Sequence, residues 1–307
     1  MISPVLGVVG PTASGKTDLA LALADRIPLE IVVADSRQVY RGMDIGTAKV
    51  PDSARRRVPH HLIDVVDPDA PFTVADWVEQ ARAVLPEIAS RGRLALLVGG
   101  TGLYVSALVD GHDYAGQPWS PEVRQRLAEE LETDGLDPLV VRLQAADPVV
   151  ATSIDLRNPR RVLRALERAE GGGSGSPRAT SYAGPVALIG LDRPREVLYG
   201  RIDERAHQLF EGGLLDEVRR LRAAGYGPDL RPMTGHGYAE AAAYLAGEWT
   251  LGEAVAVTAR RTRQYAKRQL TWFRRDPRVT WIPAGDEPAD ADEIVDRAER
   301  ALRAALS

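Results

Sequence analysis

Residues 10–17 read Gly-Pro-Thr-Ala-Ser-Gly-Lys-Thr, which fits the pattern G-x-x-x-x-G-K-[ST], and the chemistry of that pattern is phosphate binding. Its glycines let backbone amides come close to phosphate oxygens, Lys16 brings a positive charge, and the N-terminus of a following helix adds its partial charge. The expected ligand is therefore a diphosphate held by Gly10, Pro11, Thr12, Ala13, Ser14, Gly15, Lys16 and Thr17, with the Thr17 hydroxyl as a ligand to Mg2+. Most loops of this kind bind a nucleoside triphosphate such as ATP, so the loop alone suggests a kinase or hydrolase. The run LALLVGGTG, however, ends in Gly99-Gly100-Thr101 where a hydrolase often places a carboxylate for magnesium, and no second nucleotide motif follows.

The loop needs a strand before it and a helix after it, and the sequence supplies both. VLGVVG is a β-rich run that stops at Gly10, and DLALALADRI has helical spacing. LEIVVADS and LALLVGGTG repeat the pattern of buried strands ending in polar or small residues, with a helical stretch at about Val74–Ser90 between them. From 113 to 183 the strand signals fade and helical segments such as PEVRQRLAEEL and PRRVLRALERA take over, before VALIGL resumes a strand. The expected fold is α/β: a P-loop doubly wound parallel sheet with a helical insertion domain and a helical C-terminal region. The core domain is assigned to 1–112 and 184–307, the insertion to 113–183, and everything after Pro194 is expected to be predominantly helical. EGGGSGSPRATS, near the end of the insertion, reads as a mobile connection.

Composition narrows the function classes. The chain has 307 residues, 44% of them apolar, enough for a packed core, and no cysteine, which excludes disulfides, thiol nucleophiles and cysteine zinc sites. The first residues lack a basic, apolar leader and no run approaches the roughly 20 apolar residues of a membrane span, so a cytoplasmic protein without membrane contact is expected. A net charge of −4 argues against a uniformly basic coat. Positive charge is nevertheless clustered, at Arg157, Arg160, Arg161, Arg164 and Arg168, and again at Arg260, Arg261, Arg263, Lys267, Arg268, Arg274 and Arg275. Helical spacing puts 157, 161, 164 and 168 on one face. Such a stripe is either a solvated surface or a set of phosphate contacts, and Tyr265, Trp272 and Phe273 either stack on bases or fill the core.

Five blocks in order, Asp35-Ser36-Arg37-Gln38-Val39-Tyr40 with the following GMDIGTAK, His60-His61-Leu62-Ile63-Asp64, Gly99-Gly100-Thr101-Gly102-Leu103-Tyr104, and Thr262-Arg263-Gln264-Tyr265-Ala266-Lys267-Arg268-Gln269, resemble the tRNA dimethylallyltransferase (tRNA isopentenyltransferase) family of bacterial type. The resemblance implies that the exocyclic N6 amine of the adenosine 3′-adjacent to the anticodon attacks dimethylallyl diphosphate and releases diphosphate. It assigns catalysis to Asp35 as the base, Thr101 as a substrate contact on either the donor or the anticodon-loop backbone, and Arg124 as the transition-state arginine. It assigns contacts with the tRNA anticodon stem-loop to Asp35, Ser36, Arg37, Gln38, Arg160, Arg161, Arg164, Gly237, Tyr238, Arg263, Lys267 and Arg268, in an enzyme expected to act as a monomer. The segment Thr234-Gly235-His236-Gly237-Tyr238-Ala239 departs from relatives that carry a basic residue after the tyrosine, the Gly-rich tail of the insertion is a second departure, and the cysteine and histidine zinc-finger appendage of eukaryotic relatives is missing.

Each assignment has a plainer counterpart in the residues themselves. Asp35 can cap the turn after its strand, and Arg124 can pair with the glutamates of its own helix. Adjacent His60 and His61 on an extended segment point to opposite faces, and no third metal ligand accompanies them. The competing activities are an adenylate isopentenyltransferase acting on a free nucleotide, a P-loop small-molecule kinase, and a non-catalytic tRNA-binding module.

Overall fold

Val5–Val9 is buried at every position, as a strand covered on both faces must be, and it lies at the centre of a six-stranded sheet in a computed structural model that describes residues 4–111, 120–171, 181–304 and 306. In chain order the first elements are β1 (Val5–Val9), α1 (Lys16–Ala24), β2 (Leu29–Val33), α2 (Asp52–Arg57), β3 (His60–His61), α3 (Val74–Ser90), β4 (Leu94–Gly99) and α4 (Gly102–Val109). Four helices follow: α5 (Pro121–Asp134), α6 (Leu136–Ala146), α7 (Pro148–Ser153) and α8 (Pro159–Glu170). The chain then runs through β5 (Val186–Asp192), α9 (Arg195–Glu211), α10 (Leu214–Ala223), α11 (Tyr238–Leu245), α12 (Leu251–Phe273), β6 (Val279–Pro283) and α13 (Asp292–Ala304).

The sheet is parallel throughout, in the order β3-β2-β4-β1-β5-β6, so the fold is the expected α/β with helices on the sheet. Pairing of Val9 with Gly99, and of Val33 with Val98, brings the carboxyl ends of β1, β4 and β2 to one edge. Gly99 is required there: a Cβ would lie 2.0 Å from the Ala34 carbonyl oxygen. The region after Pro194 is predominantly helical as expected, with one short strand, β6, in it. The run VTWIP is short and β-branched or aromatic, and it finds an edge position beside β5.

Two compact units result, 1–109 with 182–307 and 110–181. In the first, α1 and α13 cover the sheet with Leu19, Leu23, Ile294, Val295 and Leu302. Helix α3 is opened by a Thr73–Asp76 capping box and buries Trp77, whose indole N–H donates to the Val33 carbonyl at 3.0 Å and whose ring stacks on Tyr104 at 4.8 Å. That contact fixes the end of β2, and truncating Trp77 would cost about 3–5 kcal/mol. In the second unit α5–α8 enclose Leu127, Leu139, Leu143, Val162 and Leu166, and Ser120 and Asn158 cap α5 and α8. Residues 172–180 of the segment read as a mobile connection lie outside the described residues.

Candidate active site

The loop between β1 and α1 turns through left-handed backbone at Gly10 (φ 130°), Ala13 (φ 62°) and Gly15 (φ 96°). Only glycine serves at 15, where a Cβ would meet that of Ala289 at 2.4 Å. Helix α1 begins at Lys16, so its first amides are unpaired within the helix and available to an anion. Lys16 Nζ donates to the Pro11 carbonyl at 2.6 Å. Burial lowers its pKa to about 8, opposed by Asp35 and assisted by Arg205. Behind the loop, buried Arg193 donates from Nε to the Ser14 carbonyl at 2.8 Å and from a second nitrogen to Gly285.

Asp35 follows β2 at the same edge. Its Oδ1 accepts from the Arg37 N–H at 2.8 Å, so the turn-capping reading is correct for one oxygen, while Oδ2 accepts no bond from the described residues. Thr101 locks the turn twice: its N–H donates to the Ala34 carbonyl at 3.1 Å and its Oγ1 accepts from the Ser36 N–H at 3.0 Å. Arg37 donates to the Arg231 carbonyl at 2.5 Å, and Gln38 donates to the carbonyls of Thr47 and Ala48 at 3.1 and 3.4 Å. Tyr265 of α12 faces the same space. Burial pushes its hydroxyl up to about 12, and a bond with Thr101 works against that shift.

Two cavities meet at Asp35. The larger, about 720 Å³, is lined by the phosphate loop from Thr12 to Asp18 apart from Ser14, and by Gln38, Lys49, His60, Arg201 and Gln269. The smaller, about 280 Å³, is lined by Ser36, Arg37, Ile202, His236, Thr258 and Arg268, among others. Thr12, Asp35, Thr47, Arg205 and Tyr265 belong to both. Arg205 is held below the usual guanidinium range by burial, opposed by Asp35 and Asp18, and it stays charged. Asp18 is raised by burial and by Asp290, against Arg201, Arg205 and Arg193.

The wall at residues 44–49 is held from outside. Glu217 of α10, 1% exposed, accepts from the N–H groups of Asp44, Ile45 and Gly46 at 2.9, 2.8 and 3.1 Å, and from the Tyr238 hydroxyl at 2.6 Å. Tyr238 is thus a buried wall residue whose hydroxyl is already engaged, and Gly237 (φ 91°) gives its N–H to Glu240 at 2.7 Å. Lys49 anchors the other end on the Tyr40 carbonyl, Asp44 and Asp64. Sequence reasoning missed Arg205, Gln269, Glu217 and His236. Gln269 closed a quoted block, but Arg205 and Glu217 sit in amphipathic helices where charge ordinarily faces water, so no local signal marks them.

Of the other expected residues, Arg268 lines the smaller cavity, and Arg124, Arg160, Arg161, Arg164, Arg263 and Lys267 line neither. Arg124 belongs to the second unit, where its guanidinium grips Glu167 at 2.7 and 3.0 Å and Arg164 adds a bond at 2.9 Å. Burial would raise Glu167, but the two arginines hold it below the usual carboxylate range. Arg160 and Arg161 are exposed on α8. On α12, Arg260, Lys267 and Arg268 are exposed, with Arg268 5.7 Å from the Tyr265 ring, while Arg263 pairs with Asp203 and Arg261 with Glu240. Phe273 is core and Trp272 is 45% exposed. His60 Nδ1 bonds the Val58 carbonyl and His61 Nε2 bonds Glu30, each at 2.7 Å, and no group of three His, Cys, Asp or Glu suited to a metal occurs among the described residues.

A family model described as IPP transferase matches residues 38–276. The tRNA dimethylallyltransferase of Heliobacterium modesticaldum is 44% identical over 285 residues, covering 90% of this chain and 88% of that protein. The tRNA dimethylallyltransferase of Syntrophobacter fumaroxidans is 48% identical over 291 residues, covering 92% and 84%. Among solved structures, the full-length tRNA isopentenylpyrophosphate transferase of Bacillus halodurans superposes with a TM-score of 0.75 at 40% identity, covering 100% of this chain and 97% of that one.

Proposed function

Because the chain belongs to the IPP transferase family of tRNA dimethylallyltransferases, we propose that its two cavities divide that reaction between them, the larger for dimethylallyl diphosphate and the smaller for the acceptor adenosine of a tRNA. The observation that carries this reading is the place of Asp35 at their junction, with one carboxylate oxygen fixed by the Arg37 N–H and the other uncommitted. The acceptor is the N6 amine of the adenosine 3′-adjacent to the anticodon. No described helix is long and apolar enough to cross a membrane. One chain lines both cavities, which supports action as a monomer, and a tRNA acceptor supports a cytoplasmic location.

In the mechanism, N6 forms a bond to the allylic carbon as the carbon–oxygen bond to diphosphate breaks. Asp35 accepts a proton from the amine, whose lone pair is otherwise delocalised into the ring. Charge developing on the leaving group is met by the loop amides, Lys16 and Arg205. Thr101 keeps the Asp35 turn in place through the Ser36 N–H. The Thr17 hydroxyl, with Asp18 along the same cavity, offers hard oxygen donors that suit Mg2+, which would neutralise leaving-group charge. Arg205, which faces both cavities, takes the transition-state role in this reading, while Arg124 is engaged with Glu167.

To reach Asp35 the adenosine must leave its stack, at a cost of a few kcal/mol. The exposed arginines and lysine of α8 and α12 supply phosphate contacts on the anticodon stem-loop. The test incubates the protein with Mg2+ and labelled dimethylallyl diphosphate and either unmodified tRNA or free adenosine monophosphate. Label in tRNA alone is expected; label on the free nucleotide would replace this reading with the adenylate isopentenyltransferase.

A further inference from the structure

Two polar side chains that line the smaller cavity make no side-chain hydrogen bond among the described residues. Thr258 of α12 lines it at 1% exposure, and its hydroxyl has no hydrogen-bond partner among the described residues. A helical threonine commonly returns its hydroxyl to the carbonyl four residues earlier, and a buried hydroxyl that makes no bond is destabilising. His236 is the second group. Its ring stands edge-on to Tyr265 at 5.5 Å between centroids, and no hydrogen bond to either nitrogen occurs among the described residues. Burial and the guanidiniums of Arg261, Arg268 and Arg37 lower it to about 4, so at neutral pH it is an uncharged imidazole with one donor and one acceptor.

Thr258 and His236 are out of place as structural residues but suited to a flat heteroaromatic ligand. The cavity is small, one wall is apolar through Ile202, Ala206 and Leu209, and Tyr265 adds aromatic surface to its lining. A purine has ring nitrogens that accept hydrogen bonds and faces that stack. A neutral imidazole beside three cations also avoids placing a fourth charge against an uncharged base. We propose that the Thr258 hydroxyl and the His236 imidazole read the ring nitrogens of the acceptor base while Asp35 engages its amine, making them specificity-determining residues for the transfer. The proposal rests on assigning the smaller cavity to the acceptor.

The test uses the full-length protein, dimethylallyl diphosphate and an anticodon stem-loop RNA bearing adenosine or its 1-deaza, 3-deaza or 7-deaza analogue at the acceptor position. Thr258→Val keeps the shape and deletes the hydroxyl. It is expected to hold or raise the melting temperature, because it removes an unpaired buried polar atom, while lowering kcat/KM for the RNA about tenfold and leaving KM for dimethylallyl diphosphate unchanged. On the one analogue that lacks the nitrogen Thr258 contacts, the variant and the parent should be equal. His236→Phe keeps the edge-on contact with Tyr265 and should show the same pattern with a different analogue. Unchanged kcat/KM for the RNA in both variants overturns the proposal, as does an equal loss on every analogue or a loss that follows a lowered melting temperature. A parent enzyme that labels no RNA defeats the proposed function instead, which separates the two failures.

Discussion

Gln269 holds Thr12: its Oε1 accepts from the Thr12 N–H at 2.9 Å while its Nε2 donates to the Gly100 carbonyl at 2.9 Å. One buried amide from α12 therefore clamps the phosphate loop to the end of β4, and a Cβ at Gly100 would strike it at 2.1 Å. Gln269→Leu should raise KM for dimethylallyl diphosphate about tenfold and lower stability by about 1–3 kcal/mol, because a buried donor and acceptor lose their partners. Steady-state kinetics and chemical denaturation check this, and a donor KM equal to the parent's would show that the clamp does not set the loop.

Asp35 combines a turn-capping oxygen with one free for the amine, so the substitution must separate the two tasks. Asp35→Asn keeps an oxygen for the Arg37 N–H but loses the basic carboxylate. Transfer should fall roughly a hundredfold or more while tRNA affinity stays near the parent's. Equal loss of binding and transfer would remove the base assignment and leave Asp35 as a cap.

Lys16 sets a pH dependence of known sign. Its folded-state pKa of about 8 lies below the ordinary 10.5, so between those values the unfolded chain binds more protons and stability rises with pH. Below about 8 the full cost of the enclosed charge is present. A bound diphosphate favours the ammonium, so donor binding near pH 8 should be accompanied by net proton uptake. Calorimetry in buffers of high and low ionisation enthalpy measures that uptake; no buffer dependence at pH 8 would refute it.

Much of this arrangement was legible in the sequence because its signals are local. The phosphate loop, β1, β2, β4 and the position of Asp35 follow from apolar runs ending in Gly or Asp, and the strand ends come into register as a parallel sheet requires. Glu217 and Thr258 were not legible. Each is defined by what approaches it from far along the chain: Glu217 by the amides of residues 44–46, and Thr258 by the cavity that α9 and the 235–238 segment complete. β6 was missed for a related reason, since five residues at a sheet edge carry too short a period to stand out after a 23-residue helix.

Arg205 faces both cavities and carries its charge between Asp35 and Asp18. Arg205→Gln should lower kcat for transfer by about a hundredfold, the scale on which a single transition-state donor acts, with tRNA affinity unchanged. Arg205→Lys should recover only part, because one ammonium cannot reproduce a forked contact. If Arg124→Gln gave the larger kcat loss, the transition-state role would return to Arg124.

Arg161 and Arg164 share a helix but not a situation. Arg161 is exposed, whereas Arg164 donates to Glu167 at 2.9 Å, beside the Arg124 pair. Reversing Arg164 would press a carboxylate against buried Glu167 and weaken the second unit, so loss of RNA binding in that variant would have two causes. Arg161→Glu leaves that network alone. It should weaken tRNA binding and reduce the slope of log affinity against log salt by about one, with dimethylallyl diphosphate binding unchanged and the melting temperature held. An unaltered slope would take this face of α8 out of the RNA interface and leave the exposed cations of α12 as the main electrostatic contact.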